Sequence, residues 1–131
     1  WTLTPQSEAG LQELVKLLND NPNITIEISA HTDFVGNNAS NKTLSERRAQ
    51  SVVEYLINAG ISKDRLTSAG YGEEQPFTVD VKTAKKYNFL KPNTVLTEEY
   101  IMALTPEQQE TANQINRRTE FRVLKTTYKL Y

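Results

Sequence analysis

The first third of the chain shows two hydrophobic periodicities, and each one predicts a different element. A helical face with spacings of three and four residues comprises Leu11, Leu14, Val15 and Leu18. The preceding Thr4-Pro5 pair is typical of a helix start, with threonine as N-cap and proline at the first helical position. Asn21-Pro22-Asn23 should end this helix. Residues 24–30, ITIEISA, then alternate apolar and polar side chains, which predicts a strand with one buried face.

A second helix and two more strands follow from the same kind of pattern. The helix should run from a loop at residues 33–40 to about Asn58, with Gly60 in the left-handed position after its end. Its predicted inner side comprises Leu44, Ala49, Val52, Tyr55 and Leu56. Residues 65–72, RLTSAGYG, predict a short strand that ends in a glycine turn. Residues 119–125, TEFRVLK, predict the last strand, with Phe121 and Val123 pointing inward.

The segment between Pro76 and Asn116 gives a weaker pattern. Thr97 should cap one short helix, and Thr105-Pro106 should open another, whereas residues 77–93 predict no definite element. The order α-β-α-β-insert-β predicts an α+β fold: a two-layer sandwich with helices on one face of a small mixed β-sheet. At 131 residues the chain should form one domain, residues 1–131, with an insertion at 77–113.

Composition limits the classes of function. Hydrophobic residues make up 37% and charged residues 24%, as expected for a folded domain. The net charge of −1, from 15 basic and 16 acidic residues, argues against nucleic acid as a partner. No apolar run is long enough to span a bilayer, so membrane contact would come only through regions outside this chain. The absence of cysteine excludes disulfides, thiolate metal sites and cysteine nucleophiles.

The single histidine, His31, lies two residues before Asp33 and is the obvious candidate for catalysis. A hydrolase would use His31 as general base and Asp33 to orient it. Alternation along a strand sends these two side chains to opposite faces, however, and no G-x-S-x-G motif is present. One histidine without cysteine also falls short of a zinc site, and the loop lacks the spacing of calcium ligands. We therefore expect no enzyme, no metal and no cofactor, and we expect His31 to be structural.

A different arrangement favours a binding pocket. Asn41, Ser45 and Arg48 recur at i, i+4 and i+7 and should line one side of the second helix. Asp33 leaves the strand that the loop connects to this helix. Since arginine does not titrate near neutral pH, an aspartate and an arginine facing one cleft suit a zwitterion, with Asp33 receiving an ammonium group and Arg48 a carboxylate. The residues before the last strand, Asn116, Arg117 and Arg118, either add donors to this pocket or only flank the strand.

At this point an ordered set of motifs resembles the OmpA-like C-terminal domain. The motifs are HTDFVG, Asn41, LSERRA, GISKDRL, AGYGEEQP and NRRTEF, and together they cover nearly the whole chain. The resemblance implies a periplasmic domain that binds peptidoglycan without catalysis and anchors an outer-membrane protein or lipoprotein to the cell wall. It also implies that the ligand is the diaminopimelate of the stem peptide. Matched motif by motif, the implied ligand-binding residues are Asp33, Arg48, Asn41, Thr32, Asn116 and Arg117.

Three departures from the family pattern add expectations. The family usually begins with a strand ending in Phe-Asp, which would precede Trp1, and an edge left open by its loss could promote dimerisation or strand exchange. Ala30 stands where glycine is common, and Ala112-Asn113 stands where Gly-Arg is expected. The segment between Gln75 and Asn116 is longer than usual.

Two alternatives remain beside peptidoglycan binding. One is a peptidoglycan-modifying enzyme using His31, and the other is a protein-interaction module acting through residues 77–113.

Overall fold

A computed structural model describes residues 8–128. The helices and strands within this range are α1 (Glu8–Asp20), β1 (Thr25–His31), α2 (Asn38–Asn58), β2 (Leu66–Gly72), α3 (Val81–Lys86), α4 (Glu98–Met102), α5 (Pro106–Asn116) and β3 (Arg118–Lys125), with a short 3-10 helix at Lys63–Arg65 before β2. The predicted Thr4-Pro5 helix start lies outside the described residues. No helix in the described range is both long enough and apolar enough to cross a bilayer.

The described part of the chain forms a mixed three-stranded sheet in the order β2-β1-β3. β1 is central and pairs in parallel with β2 and antiparallel with β3. Ile28 thus lies between Ser68 and Phe121 in register. The β1–β2 register shifts after Ala30, which places His31 opposite Gly72 at the carboxyl ends of both strands. The predicted fold class, helices with a small mixed sheet, is confirmed.

The main core lies between the sheet and the two long helices. Its buried residues are Leu14, Leu18, Ile24, Ile26, Ile28, Ala30, Ala49, Val52, Leu56 and Ile61. This confirms the helical face predicted for α1 and the burial of the isoleucines of β1. The prediction that β1 has only one buried face is wrong, because Ser29 and His31 on its other face are buried as well. Burial of each leucine, isoleucine or valine side chain in this core stabilises the fold by about 2 kcal/mol relative to exposure. The core therefore fixes α2 against the strands whose ends carry the candidate site.

Two predicted core positions are wrong. Leu44 is 41% exposed, and the fully buried residue is its neighbour Ser45. One residue corresponds to a rotation of about 100° around a helix, so a face made by Ser45, Ala49 and Val52 turns Leu44 away from the sheet. Val123 is 47% exposed, because α2 packs over β1 and β2 and not over β3.

The insert between β2 and β3 folds around an apolar cluster of its own. That second cluster comprises Val79, Leu90, Leu96, Ile101 and Ala112. The predicted caps are confirmed: Thr97 caps α4, and Thr105 forms a capping box with Gln108 at the start of α5. α5 has eleven residues and is longer than expected. α3 could not be predicted from apolar spacing, because none of its six residues is buried.

Candidate functional site

The candidate site lies where the carboxyl ends of β1 and β2 meet the start of α2. The backbone N–H of Thr32 donates to the carbonyl of Gly72 over 2.9 Å, which joins the two strand ends. Thr32 and Asp33 are both buried there. Polar residues buried at the end of a strand need partners, so the contacts of these two show how the site is built.

Asp33 and Asn41 shape the loop between β1 and α2. The N–H of Val35 donates to Oδ1 of Asp33 over 2.9 Å, which is an Asx-type turn. The side-chain amide of Asn41 donates to the carbonyl of Val35, also at 2.9 Å, and the hydroxyl of Thr32 donates to the carbonyl of Asp33 at 3.1 Å. Gly36 has φ +89°, a left-handed conformation that glycine adopts without strain. The roles seen for Thr32 and Asn41 are thus to hold the loop that carries Asp33.

Asn41 and Ser45 fix one side of α2 against this loop and the end of β2. Asn41 contacts the loop, and one turn later Oγ of Ser45 accepts a hydrogen bond from the N–H of Gly72 at 2.9 Å. Arg48 follows on the same side and is exposed. Within residues 8–128 its side chain makes no hydrogen bond or ion pair. Its guanidinium group is therefore available to an anion from solution.

Asp33 is paired with Arg117, a contact that the sequence did not predict. Nη1 of Arg117 donates to Oδ2 of Asp33, while its Nη2 donates to Oε1 of Glu110 over 3.1 Å. The hydrogen bond to Asp33 is the main reason why the pKa of Arg117 is raised, so the guanidinium stays charged. The Asp33 side chain is 9% exposed and that of Glu110 is 71% exposed. One arginine thus joins a buried acid to an exposed one.

Glu110 was missed by sequence reasoning, although a signal exists. It lies seven residues, or about two helical turns, before Arg117, which directly follows the last residue of α5. Glu73 was also missed. Burial raises the pKa of Glu73, and the negative charges of Glu98 and Asp33 add to that effect. Glu73 directly follows the strand-end Gly72, and Glu98 belongs to the insert, so acidic residues from three segments approach this side of the site.

The three residues of the Asn-Arg-Arg motif have three different roles. Asn116 is fully buried: its Oδ1 accepts from the N–H of Phe77 at 2.8 Å, and its Nδ2 donates to the carbonyl of Leu96 at 3.0 Å. This geometry leaves Asn116 without surface for a ligand, so we correct its predicted role to fastening the insert beside Arg117. Arg118 donates to the carbonyl of Gln75 at 3.0 Å and stacks over the ring of Phe77. Of the three residues, only Arg117 reaches Asp33.

His31 is a buried, neutral residue with no contact to Asp33. It is 2% exposed, its Nε2 lies 3.3 Å from Oγ of Ser29, and its ring stacks on Tyr71. Burial lowers its pKa to about 4, and the charge of Arg118 adds to this shift. This geometry therefore does not support His31 as a general base oriented by Asp33. In the described range, no three or more His, Asp or Glu side chains lie together as a metal site would require.

The lowered pKa of His31 predicts a loss of stability in mild acid. The neutral ring is favoured in the folded state, so its contribution is complete above the ordinary pKa of about 6.5 and is lost as the pH falls toward 4. The loss should reach about 2–3 kcal/mol in the free energy of unfolding. Urea denaturation at pH 7 and pH 4 measures it for the wild type and for His31→Gln. Carboxylates titrate in both proteins, so identical pH dependences would refute the role of His31.

Comparisons with known proteins agree with this fold and these motifs. A sequence model described as the OmpA family matches residues 1–88, which is about two thirds of the chain. Outer membrane protein A of Escherichia fergusonii is 43% identical over 79 residues, covering 59% of this chain and 32% of that protein. Outer membrane protein A of Escherichia coli O157:H7 has the same identity over 79 residues and is covered to 23%. The chain thus spans about a third or less of these relatives.

Solved structures share the fold at low sequence identity. The peptidoglycan-associated lipoprotein from Burkholderia pseudomallei has a TM-score of 0.61 at 21% identity, with 88% of this chain and 75% of that chain covered. A putative MotB-like protein from Desulfovibrio vulgaris has a TM-score of 0.59 at 28% identity, with 90% and 61% covered. The cell wall anchor of the type VI secretion system (T6SS) from Pseudomonas aeruginosa has a TM-score of 0.55 at 18% identity, with 88% and 64% covered. Both the sheet and the helices of the chain therefore have counterparts in known structures.

Proposed function

The chain belongs to the OmpA family, and from that premise we propose that it binds peptidoglycan without catalysis. In this proposal it is the periplasmic domain of an outer-membrane-associated protein and anchors that protein to the cell wall. The similarity to outer membrane proteins supports the location. A peptidoglycan-associated lipoprotein and a cell wall anchor share its fold, and this supports the choice of ligand.

The observation that carries the proposal is the open guanidinium group of Arg48. It lies on the side of α2 that Asn41 and Ser45 fasten to the Asp33 loop and the end of β2. An arginine with an unpaired side chain, on the helix that follows the loop of a buried aspartate, suits a ligand with a carboxylate and an ammonium group. The side-chain end of diaminopimelate is such a zwitterion. Arg48 would bind its carboxylate and Asp33 its ammonium group, while Thr32 and Asn41 would hold the loop in place.

The alternatives gain less support from the geometry. The partner of His31 is Ser29 and not Asp33, so the enzyme alternative lacks its acid–base pair. The insert has its own apolar cluster, and Asn116 couples it to the site through Phe77 and Leu96. An interaction module at residues 77–113 and strand exchange between two chains remain predictions.

Calorimetric titration of the chain with a diaminopimelate stem peptide tests the proposed function. The control is the same peptide with lysine in place of diaminopimelate, because lysine keeps the ammonium group and lacks the carboxylate. We expect the first peptide to bind at least about tenfold more tightly, since Arg48 would have no partner in the second complex. Equal affinities would show that the pocket does not recognise the zwitterion. Release of soluble fragments from purified peptidoglycan would instead indicate an enzyme.

A further inference from the structure

The positive charge that Asp33 would receive from a ligand is already supplied by the protein. Arg117 donates to Oδ2 of Asp33, and the N–H of Val35 donates to Oδ1. Both carboxylate oxygens are therefore engaged before any ligand arrives. Each oxygen could accept a further hydrogen bond, but the Asp33 side chain is only 9% exposed, so a ligand ammonium group has to compete with these donors for access. The backbone of Val35 belongs to the loop that Asn41 holds, which leaves Arg117 as the donor that can give way.

Burial explains why Asp33 has an internal partner. Its side chain is almost completely covered, and a buried carboxylate without a counter-charge is strongly unfavourable. Arg117 removes that penalty in the free protein. An ammonium group of a ligand could do the same at the same oxygen, because it also donates charged hydrogen bonds.

Arg117 also pairs with a second acid, which can retain it when its contact with Asp33 is broken. Its Nη2 donates to Oε1 of Glu110, which projects from α5 into solvent. Arg117 is itself partly exposed, so its guanidinium group can leave Asp33 without losing hydration. Arg117 thus pairs with two acids that differ in exposure: Asp33 is buried, and Glu110 is exposed to solvent.

We propose that Arg117 is an internal competitor for the ligand's ammonium group: it occupies Asp33 in the free protein and is retained by Glu110 alone when the ligand binds. This inference rests on the proposed function, because it concerns the ammonium end of the same ligand. Binding then exchanges one cation for another at Asp33. A ligand with a neutral group at this position cannot make the exchange and is rejected, which gives selectivity through competition.

Titration of wild type and Arg117→Gln with two peptides tests the exchange. One is the diaminopimelate stem peptide, and the other carries an acetyl group on the side-chain amine. Arg117→Gln should bind the first peptide about fivefold more tightly than wild type and the acetylated peptide no more tightly. Arg122→Gln is the matched control, since Arg122 is an exposed arginine of β3 that pairs with Glu27, and it should behave as wild type.

The opposite result would overturn the proposal. Weaker binding of the diaminopimelate peptide by Arg117→Gln would mean that Arg117 contacts the ligand directly. Equal changes for both peptides would mean that the effect does not depend on the ammonium group. If wild type binds and Arg117→Gln binds no more tightly, the exchange is wrong and the proposed function stands. If neither binds, both are wrong. Binding by the variant alone would support the exchange.

A second variant covers the case in which Arg117→Gln does not fold. Glu110→Gln keeps the pair between Arg117 and Asp33 and changes only the exposed acid. It should bind the diaminopimelate peptide about threefold more weakly, because the displaced arginine then lacks a partner. Glu110→Asp should restore much of the affinity. Unchanged affinity in Glu110→Gln would contradict the role of Glu110 in the exchange.

Discussion

Replacing Arg48 by alanine should weaken binding of a diaminopimelate stem peptide by about 30-fold, which corresponds to about 2 kcal/mol. The ligand carboxylate would lose its charged donor, while its ammonium group would still need to displace Arg117 from Asp33. Arg48 is exposed and contacts no other charged group in residues 8–128, so the fold should not depend on it. Calorimetric titration gives the affinity, and a thermal melt should show an unchanged midpoint.

The adjacent arginine provides a matched control for Arg48→Ala. Arg47 is also exposed, but it lines a shallow depression with Ser40, Thr43 and Leu44, about 100° around the helix from Arg48. Arg47→Ala removes the same charge from the same helix and should change the affinity by less than about twofold. Equal losses in the two variants would indicate a general electrostatic effect. Full affinity in Arg48→Ala would remove Arg48 from the binding site.

The parts of the fold that sequence could predict are those with a repeating signal. β1 alternates in sequence because its isoleucines form the face that packs in the main core, and α1 repeats its leucines because it has one buried side. The caps of α4 and α5 are local, so Thr97 and Thr105 mark them directly. The phase of α2 could not be predicted, because the buried face includes a polar residue, Ser45, whose burial depends on the distant Gly72.

The sequence predicted which residues belong to the candidate site, but it did not predict which of their side chains contact one another. Asn41 could be placed beside the Asp33 loop because a strand, a loop and a helix connect them in sequence, whereas the position of Arg48 at the same site stays a prediction. Arg117 lies 84 residues from Asp33, and their ion pair depends on how the insert returns the chain to β3. The same long-range packing buries Asn116, which the motif alone presents as a polar residue. Neither the ion pair of Arg117 nor the burial of Asn116 can be predicted from the local sequence.

Gly70 determines how closely α2, the helix that carries Arg48, approaches the sheet. A Cβ atom on Gly70 would lie 2.5 Å from the Cα of Glu46 and closer still to the backbone nitrogen of that residue. These are main-chain atoms in the middle of α2, so they cannot move aside as a side chain would. The glycine is therefore required by the contact between β2 and α2 and not by an unusual φ angle.

Gly70→Ala should consequently lower the free energy of unfolding by about 3 kcal/mol or more, because one of the two elements has to shift. For a domain of this size the thermal midpoint should fall by about 10 °C or more. Ser68→Ala is the control, since Ser68 is an exposed residue of the same strand and its change should cost less than about 0.5 kcal/mol. In the fraction of Gly70→Ala that folds, α2 should be displaced from the end of β2, so its affinity for the stem peptide should fall as well. A melting temperature within about 2 °C of wild type would show that α2 and β2 do not meet at this distance, and the placement of Arg48 relative to Asp33 would then have to be revised.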